Sequence, residues 1–217
     1  MVKTFRFDDD YEEFSSNTYV VGTKGENCVI IDFGTTKRNI YSFISDNFSS
    51  VDAVLITHGH FDHIRGINKF LSIYPNVPVY IDINDKELLT DPKLNCSCDF
   101  SEKVLIDLKN INYFRNGDIL KFKDLEFEIV ETPYHTDGSV CILNYANKAV
   151  FTGDSLFKGT IGRSDLRTSN RNLIASSIEK IRNFDKFLNV YPGHGDTTTI
   201  EQELINNLYL RGGQYER

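Results

Sequence analysis

One short segment, residues 57–63 with the sequence THGHFDH, constrains this chain of 217 residues more than any other. It places three imidazoles, His58, His60 and His63, and the carboxylate of Asp62 within six residues. Burying so many polar groups is costly unless each of them finds a partner, so a purely structural role explains them poorly. Imidazole and carboxylate are ligands for borderline divalent metals such as zinc, iron and manganese. The segment therefore predicts a metal site.

The rest of the chain holds two further histidines and one well-placed carboxylate. His135 and His194 complete the five histidines of the sequence, and each follows a predicted strand after a short link. Asp154 follows another predicted strand through a single glycine. Open α/β sheets tend to place their sites at the carboxyl ends of strands. We therefore expect four chain segments to bring seven ligands to one rim: His58, His60, Asp62, His63, His135, Asp154 and His194.

Hydrophobic periodicity predicts strand runs in both halves of the chain, each half closing with helices. Strands are predicted over 16–21, 28–33, 53–57, 77–81, 119–122, 125–130, 140–145, 149–152 and 187–191. Helices are predicted over 35–48, 63–74, 86–90 and 172–184. A last helix begins at Thr199, where Thr199 and Gln202 have the form of a capping box. This order predicts an α/β fold in which two sheets pack face to face with helices outside.

Composition and charge narrow the class of function. Lys and Arg number 24 against 31 Asp and Glu, and the net charge of -7 suits a nucleic-acid surface poorly. No run approaches the ~18 apolar residues of a membrane span, and the first ten residues lack the order of a signal peptide. The four cysteines are too few for a disulfide scaffold, and we interpret the Cys96-x-Cys98 pair as free thiols in a loop. We expect a cytoplasmic chain without nucleic-acid or membrane partners, and the oligomeric state stays open.

The order of the ligands along the chain resembles the metallo-β-lactamase superfamily over nearly its whole length: His58-x-His60-x-Asp62-His63, then His135, Asp154 and His194. The sequences TGDSLF at 152–157 and GTIGR at 159–163 are similar to glyoxalase II-like members. The resemblance implies a four-layer αββα sandwich of two mixed β-sheets flanked by helices. It implies a single domain over 1–217, without the extra C-terminal helical domain of full-length glyoxalase II.

The resemblance also implies a role for each ligand. It assigns two divalent metal ions bridged by Asp154, one held by His58, His60 and His135 and the other by Asp62, His63 and His194. Zinc is the first expectation, with iron and manganese as the alternatives. The implied activity is that of a dinuclear hydrolase in which a hydroxide bridging the metals attacks a small thioester of the hydroxyacylglutathione type. Asp62 is assigned a catalytic role as well, because it would orient this nucleophile.

Three further residues are assigned on weaker grounds. Arg163 matches a basic position that contacts a substrate carboxylate in glyoxalase II-like enzymes, and a surface ion pair is its alternative role. Tyr134 stands beside His135 and is predicted to line the substrate pocket, with simple packing as the alternative. Asp32 resembles the aspartate of an early strand-turn motif, for which we favour a structural role.

Other activities of the same superfamily stay open at this point. A mononuclear iron persulfide dioxygenase would use the positions of His58, His135 and Asp154 and leave the second metal position empty. A lactone or ester hydrolase would use the full ligand set. True β-lactamases usually have a cysteine at the position of Asp154, which disfavours antibiotic hydrolysis.

Overall fold

The computed structural model describes residues 2–6, 16–35, 37–98, 100 and 103–212. Of the first ten residues, on which the expectation about a signal peptide was based, residues 1 and 7–10 lie outside the described part. The first sheet consists of β1 (Val2–Arg6), β2 (Asn17–Gly22), β3 (Asn27–Ile31), β4 (Ser50–Leu55), β5 (Val79–Asp82) and β6 (Ile111–Phe114). These strands lie side by side in chain order; the pairs from β1 to β3 are antiparallel, and those from β3 to β6 are parallel.

The second sheet is built from the C-terminal half of the chain. Its strands are β7 (Ile119–Phe122), β8 (Leu125–Glu131), β9 (Val140–Asn144), β10 (Ala149–Gly153), β11 (Asn189–Pro192) and β12 (Thr198–Thr199). They lie in the order β12-β11-β10-β9-β8-β7, and the β10–β11 pair is parallel whereas the other pairs are antiparallel. Both sheets are therefore mixed.

The helices lie outside the sheets. They are α1 (Asn39–Asn47), α2 (Phe61–Ile64), α3 (Ile67–Ile73), α4 (Ile174–Arg182) and α5 (Ile200–Asn206), with 3₁₀ helices at Ile83–Leu89, Leu108–Asn110, Tyr145–Asn147 and Arg171–Leu173. The predicted N-cap of the last helix is confirmed, because the Thr199 side chain accepts a hydrogen bond from the Gln202 backbone N–H. None of the described helices is long and apolar enough to cross a membrane.

Three hydrophobic clusters separate the four layers. Residues of both sheets, such as Tyr19 and Phe127, form the cluster between the sheets. A second cluster packs the first sheet against α1, α2 and α3, and a third packs the second sheet against α4 and α5. Strand β3 is buried along its whole length because alternate residues face these different clusters, as its continuous apolar run requires. The predicted αββα sandwich is confirmed.

The predicted helix over 63–74 is wrong in one respect, because α2 and α3 are separate helices. Continuing α2 would require the backbone N–H of Gly66 to bond with the carbonyl of Asp62. That carbonyl instead accepts a hydrogen bond from Ser16 Oγ at 2.6 Å, and the Gly66 N–H bonds with Phe33 O at 2.9 Å. The break therefore results from contacts with the first sheet. The sequence reasoning also missed β1, β6 and β12, which are sheet-edge strands with weak patterns of their own.

Candidate metal centre

The structure brings all seven predicted ligand side chains together at the carboxyl ends of strands from both sheets. The 57–63 segment follows β4, and His135 follows β8. Asp154 follows β10 directly, and His194 follows β11 after one residue. Six of the seven side chains are buried, and His194 is partly exposed. The two sheets therefore share one polar rim, as the strand ends predicted.

The ligand atoms form overlapping groups of three. Within each group they lie within 4.8 Å of one another, and the groups are His58, His60 and His135; His58, His63 and Asp154; and Asp62, His63 and His194. We call the first the three-histidine group and the last the second group. Asp154 lies between them: its Oδ1 is 3.4 Å from His63 Nε2, and its Oδ2 is 3.3 Å from His135 Nε2 and 3.6 Å from His194 Nε2.

The outer nitrogens of the histidines are already engaged. Asp32 accepts a hydrogen bond from His63 Nδ1 at 2.8 Å, and the same carboxylate accepts from the backbone N–H and the hydroxyl of Thr57. This contact holds a proton of His63 on Nδ1 and turns Nε2 toward the centre, where it can serve as a ligand once its own proton is lost. Asp32 therefore has the structural role that the sequence favoured.

Two further histidines, His135 and His60, also have outer contacts. His135 Nδ1 donates to the backbone carbonyl of Arg163 at 2.8 Å, so its Nε2 faces the centre. His60 Nε2 lies 3.2 Å from Thr168 Oγ1, and its Nδ1 lies 2.9 Å from His135 Nε2. Ligating histidines in metal sites are held by outer contacts of this kind.

The centre passes a simple test for metal binding. Three buried ligand atoms, His58 Nε2, His63 Nε2 and Asp154 Oδ1, have no hydrogen-bond partner in the described structure. Buried polar atoms are almost always satisfied, so three orphaned ones aimed at one point require a partner of another kind. A divalent cation is a partner for imidazole lone pairs and a carboxylate oxygen alike. The residues present therefore fit the two metal ions that the sequence implied.

Electrostatics favours the ligand form of some of these side chains and the protonated form of others. Burial lowers the pKa of His60 to about 3 and that of His58 well below its usual value, so both imidazoles are neutral. Burial acts to raise the pKa of Asp62, but His63 and His194 outweigh it and lower that pKa to about 2. At the other two histidines the neighbouring carboxylates outweigh burial: they raise the pKa of His63 well above its usual value and that of His194 to about 9. A divalent cation that binds there has to displace a proton from each of these imidazoles.

Tyr134 has the packing role that the sequence left open, and its contact with substrate stays a prediction. Its side chain is fully buried, and its hydroxyl donates to Ser155 O at 2.6 Å and lies 3.3 Å from Asp154 O. The same hydroxyl accepts a hydrogen bond from the Gly162 backbone N–H at 3.1 Å. Tyr134 therefore anchors the backbone that carries Asp154.

Arg163 is exposed and lines a cavity of about 290 Å³, whose lining includes none of the seven candidate ligands. Its guanidinium makes a two-point ion pair with Asp165 at 2.7 and 2.8 Å. The cavity is lined by apolar and cationic side chains, including Ile161, Arg171, Ile174 and Tyr209. Cys96 and Cys98 are free thiols, as predicted.

Two residues that contact the ligand loops were missed by the sequence analysis. Asn17 Nδ2 donates to Pro192 O at 2.9 Å and to Gly195 O at 3.1 Å, on either side of His194. Asp85, in the 3₁₀ helix after β5, accepts hydrogen bonds from two other ligand loops. Neither residue belongs to a recognisable motif, because each acts on backbone or hydroxyl groups far away in the sequence.

Comparisons with known proteins agree with this geometry. The family model described as Metallo-beta-lactamase superfamily matches residues 11–194. A probable metallo-hydrolase of Streptococcus pyogenes is 32% identical, with 89% of this chain and 85% of the relative covered. The hydroxyacylglutathione hydrolase GloC of Haemophilus influenzae is 30% identical, with 91% and 93% covered.

Two solved structures extend the comparison. The B3 metallo-beta-lactamase BLEG-1 has a TM-score of 0.88 at 30% identity, with 97% of this chain and 99% of that chain covered. The protein TTHA1623, in a di-iron-bound form, has a TM-score of 0.78 at 25% identity, with 95% and 100% covered. The fold and the length of the chain are thus shared with metal-binding relatives.

Proposed function

The chain belongs to the metallo-β-lactamase superfamily, and from that premise we propose that it is a dinuclear metal-dependent hydrolase that cleaves a small thioester of the hydroxyacylglutathione type. One observation carries the proposal: two groups of ligands converge on the shared carboxylate of Asp154, with unpartnered ligand atoms facing the centre. The Haemophilus relative supports the thioester class, because its name states that activity and it matches over most of both chains.

In this proposal each group of residues has a separate role. The three-histidine group would hold one ion, the second group the other, and Asp154 both. Bound divalent ions, of which zinc is the first expectation, supply a hydroxide nucleophile at neutral pH and polarise the carbonyl under attack. Asp62, ionised and 3.1 Å from His194 Nε2, would orient the attacking oxygen. Tyr134 would hold Asp154 in place through the Ser155 carbonyl.

The cavity beside Arg163 supports an anionic thiol carrier. The ion pair of Arg163 with Asp165 is exposed, and exposed pairs contribute little to stability, so a substrate carboxylate can replace Asp165. Arg171 lines the same cavity and adds a second cation, while Ile161 and Ile174 offer apolar contact to the carrier. An Arg fork that binds a carboxylate at two points would give this subsite its specificity.

A second candidate reaction is β-lactam hydrolysis, although the aspartate at position 154 disfavours it. The specific observation is the likeness to the B3 metallo-beta-lactamase BLEG-1, which covers nearly all of both chains. A lactone or ester would also suit a hydroxide nucleophile. The mononuclear iron persulfide dioxygenase is separated from all of these by its metal content and its oxygen use.

The experiment pairs metal analysis with a substrate panel. Purified protein is expected to hold two divalent ions per chain and to hydrolyse lactoylglutathione faster than a lactone or a β-lactam. One iron per chain with oxygen uptake on glutathione persulfide would replace the proposal with the dioxygenase. Asp154→Ala should remove metal and activity together, and retained turnover would refute the bridging role of Asp154.

Arg163 has its own comparison. Arg163→Ala is expected to raise KM for lactoylglutathione about tenfold, which corresponds to about 1.4 kcal/mol of substrate binding. The KM for a neutral thioester without a carboxylate should not change. Equal KM values of variant and wild type for both substrates would remove Arg163 from the substrate site.

A further inference from the structure

Asp85 is a fully buried carboxylate that lies outside both ligand groups. It belongs to the 3₁₀ helix Ile83–Leu89, which follows β5 in the first sheet. A buried carboxylate is costly unless its oxygens accept hydrogen bonds. The groups that donate hydrogen bonds to Asp85 therefore indicate its role.

All three donors belong to the loops that carry the three-histidine group. The backbone N–H of Gly59, between His58 and His60, donates to Asp85 Oδ2 at 2.7 Å. The hydroxyl of Thr136, next to His135, donates to the same oxygen at 2.8 Å. The backbone N–H of Gly138 donates to Oδ1 at 2.8 Å. One carboxylate thus joins two loops that are some seventy-five positions apart in the sequence.

Both loops approach the Asp85 helix closely at a glycine. A Cβ atom at Gly138 would lie 2.6 Å from the carboxylate carbon of Asp85, and a Cβ atom at Gly59 would lie 2.6 Å from Leu88 Cβ. Carbon atoms do not approach so closely without a shift of the backbone. The hydrogen bonds to Asp85 hold the two loops against one helix, and glycine at positions 59 and 138 leaves room for this close contact.

We propose that Asp85 is a positioning residue for the three-histidine group. By holding the His58–His60 loop and the His135 loop against one helix, it keeps their ligand nitrogens at the separation that one metal ion requires. An amide in its place would present only one acceptor oxygen to three donors, so the carboxylate is specifically needed. The inference rests on the two-metal centre of the proposed function and does not depend on the substrate.

The test measures Zn²⁺ affinity by competition with a chromogenic chelator, in variants that retain one group each. His194→Ala leaves the three-histidine group intact, and His60→Ala leaves the second group intact. Asp85→Asn is expected to weaken Zn²⁺ binding about 10–100-fold in the His194→Ala background, the range found for outer partners of metal ligands. In the His60→Ala background the affinity should stay within about twofold of the background value.

Asp82→Asn is the matched control. Asp82 is a buried carboxylate that caps the same 3₁₀ helix through Asn84, three positions from Asp85, and none of its hydrogen bonds in the described structure reaches a ligand loop. The Asp82→Asn substitution should leave Zn²⁺ affinity unchanged in both backgrounds. Thr136→Val removes one of the three donors with little change of shape, and it should weaken the three-histidine group several-fold even where Asp85→Asn does not fold.

The outcomes distinguish a failure of the proposed role of Asp85 from a failure of the proposed metal centre. Unchanged Zn²⁺ affinity of Asp85→Asn in the His194→Ala background would overturn the role of Asp85, as would an equal loss in both backgrounds. An unchanged affinity of Thr136→Val would do the same where Asp85→Asn does not fold. If the His194→Ala background itself bound no Zn²⁺ while folded, the proposed metal centre would fail, and this inference with it.

Discussion

Replacing Tyr134 with phenylalanine removes a single buried oxygen that joins three backbone groups. The hydroxyl donates to Ser155 O at 2.6 Å, lies 3.3 Å from Asp154 O and accepts from the Gly162 N–H at 3.1 Å. The aromatic ring stays in the third hydrophobic cluster, so its packing is unchanged. The variant therefore isolates the contribution of the polar contacts around Asp154.

The expected loss of stability follows from the two backbone groups that lose a hydrogen-bond partner. The Gly162 N–H loses its acceptor inside the protein, which costs about 1–3 kcal/mol, and the bond to the Ser155 carbonyl adds about 1 kcal/mol. We expect a total of about 3 kcal/mol in the free energy of unfolding. In a chain of this length each kcal/mol shifts Tm by roughly 2–4 °C, so Tm should fall by about 6–12 °C.

The assay is urea unfolding of metal-free protein, followed by circular dichroism, with Tyr145→Phe as the control. The Tyr145 hydroxyl also donates one hydrogen bond, to Glu128 at 3.0 Å, but this side chain is exposed. The control should therefore change the free energy of unfolding by less than about 0.5 kcal/mol. If the two variants lose similar amounts of stability, the anchoring role of Tyr134 is refuted.

Three further predictions concern single side chains. Asn17→Ala removes the donor that spans the His194 loop and should weaken Zn²⁺ binding in the second group about tenfold; unchanged chelator competition would contradict this. Asp32→Asn removes the carboxylate that accepts the hydrogen bond from His63, and asparagine tolerates the backbone φ of +54° at this position. We expect a 10–100-fold loss of Zn²⁺ affinity in the same titration. Burial raises the pKa of Asp82 to about 7 from 3.8, so its contribution to stability is present below pH 3.8 and is lost as the pH rises through 7. Asp82→Asn should therefore be more stable than wild type at pH 8 and equal to it near pH 4 in urea unfolding, and equal stability at pH 8 would refute the shift.

Much of the fold could be predicted because its strongest strands are buried on both faces. The run over residues 28–31 has to be apolar throughout when one sheet face meets the other sheet and the opposite face meets helices. Three of the four edge strands, β1, β6 and β12, were not predicted, because within the described residues each pairs on one side only and its hydrophobic pattern is weak, whereas the fourth, β7, was predicted. The break between α2 and α3 escaped it because Ser16, 46 positions away, takes the carbonyl that the helix would use.

The ligands themselves could be predicted from the sequence for a chemical reason. A metal site needs particular side chains, imidazole and carboxylate. Because the chain has only five histidines, candidate ligands can be recognised directly in the sequence. Their position after strand ends then indicated a common rim. Tyr134 shows the limit of this reasoning, because adjacency to His135 in sequence does not determine which way a side chain points.

The sequence by itself thus determined the layered fold class and the seven candidate ligands. Only the tertiary structure decided how those ligands are held, through Asn17 on the His194 loop and Asp85 on the three-histidine group. The physical reason is the nature of their partners. A backbone N–H or carbonyl is the same at nearly every residue, so a side chain that bonds to one far along the chain leaves no pattern until the chain has folded.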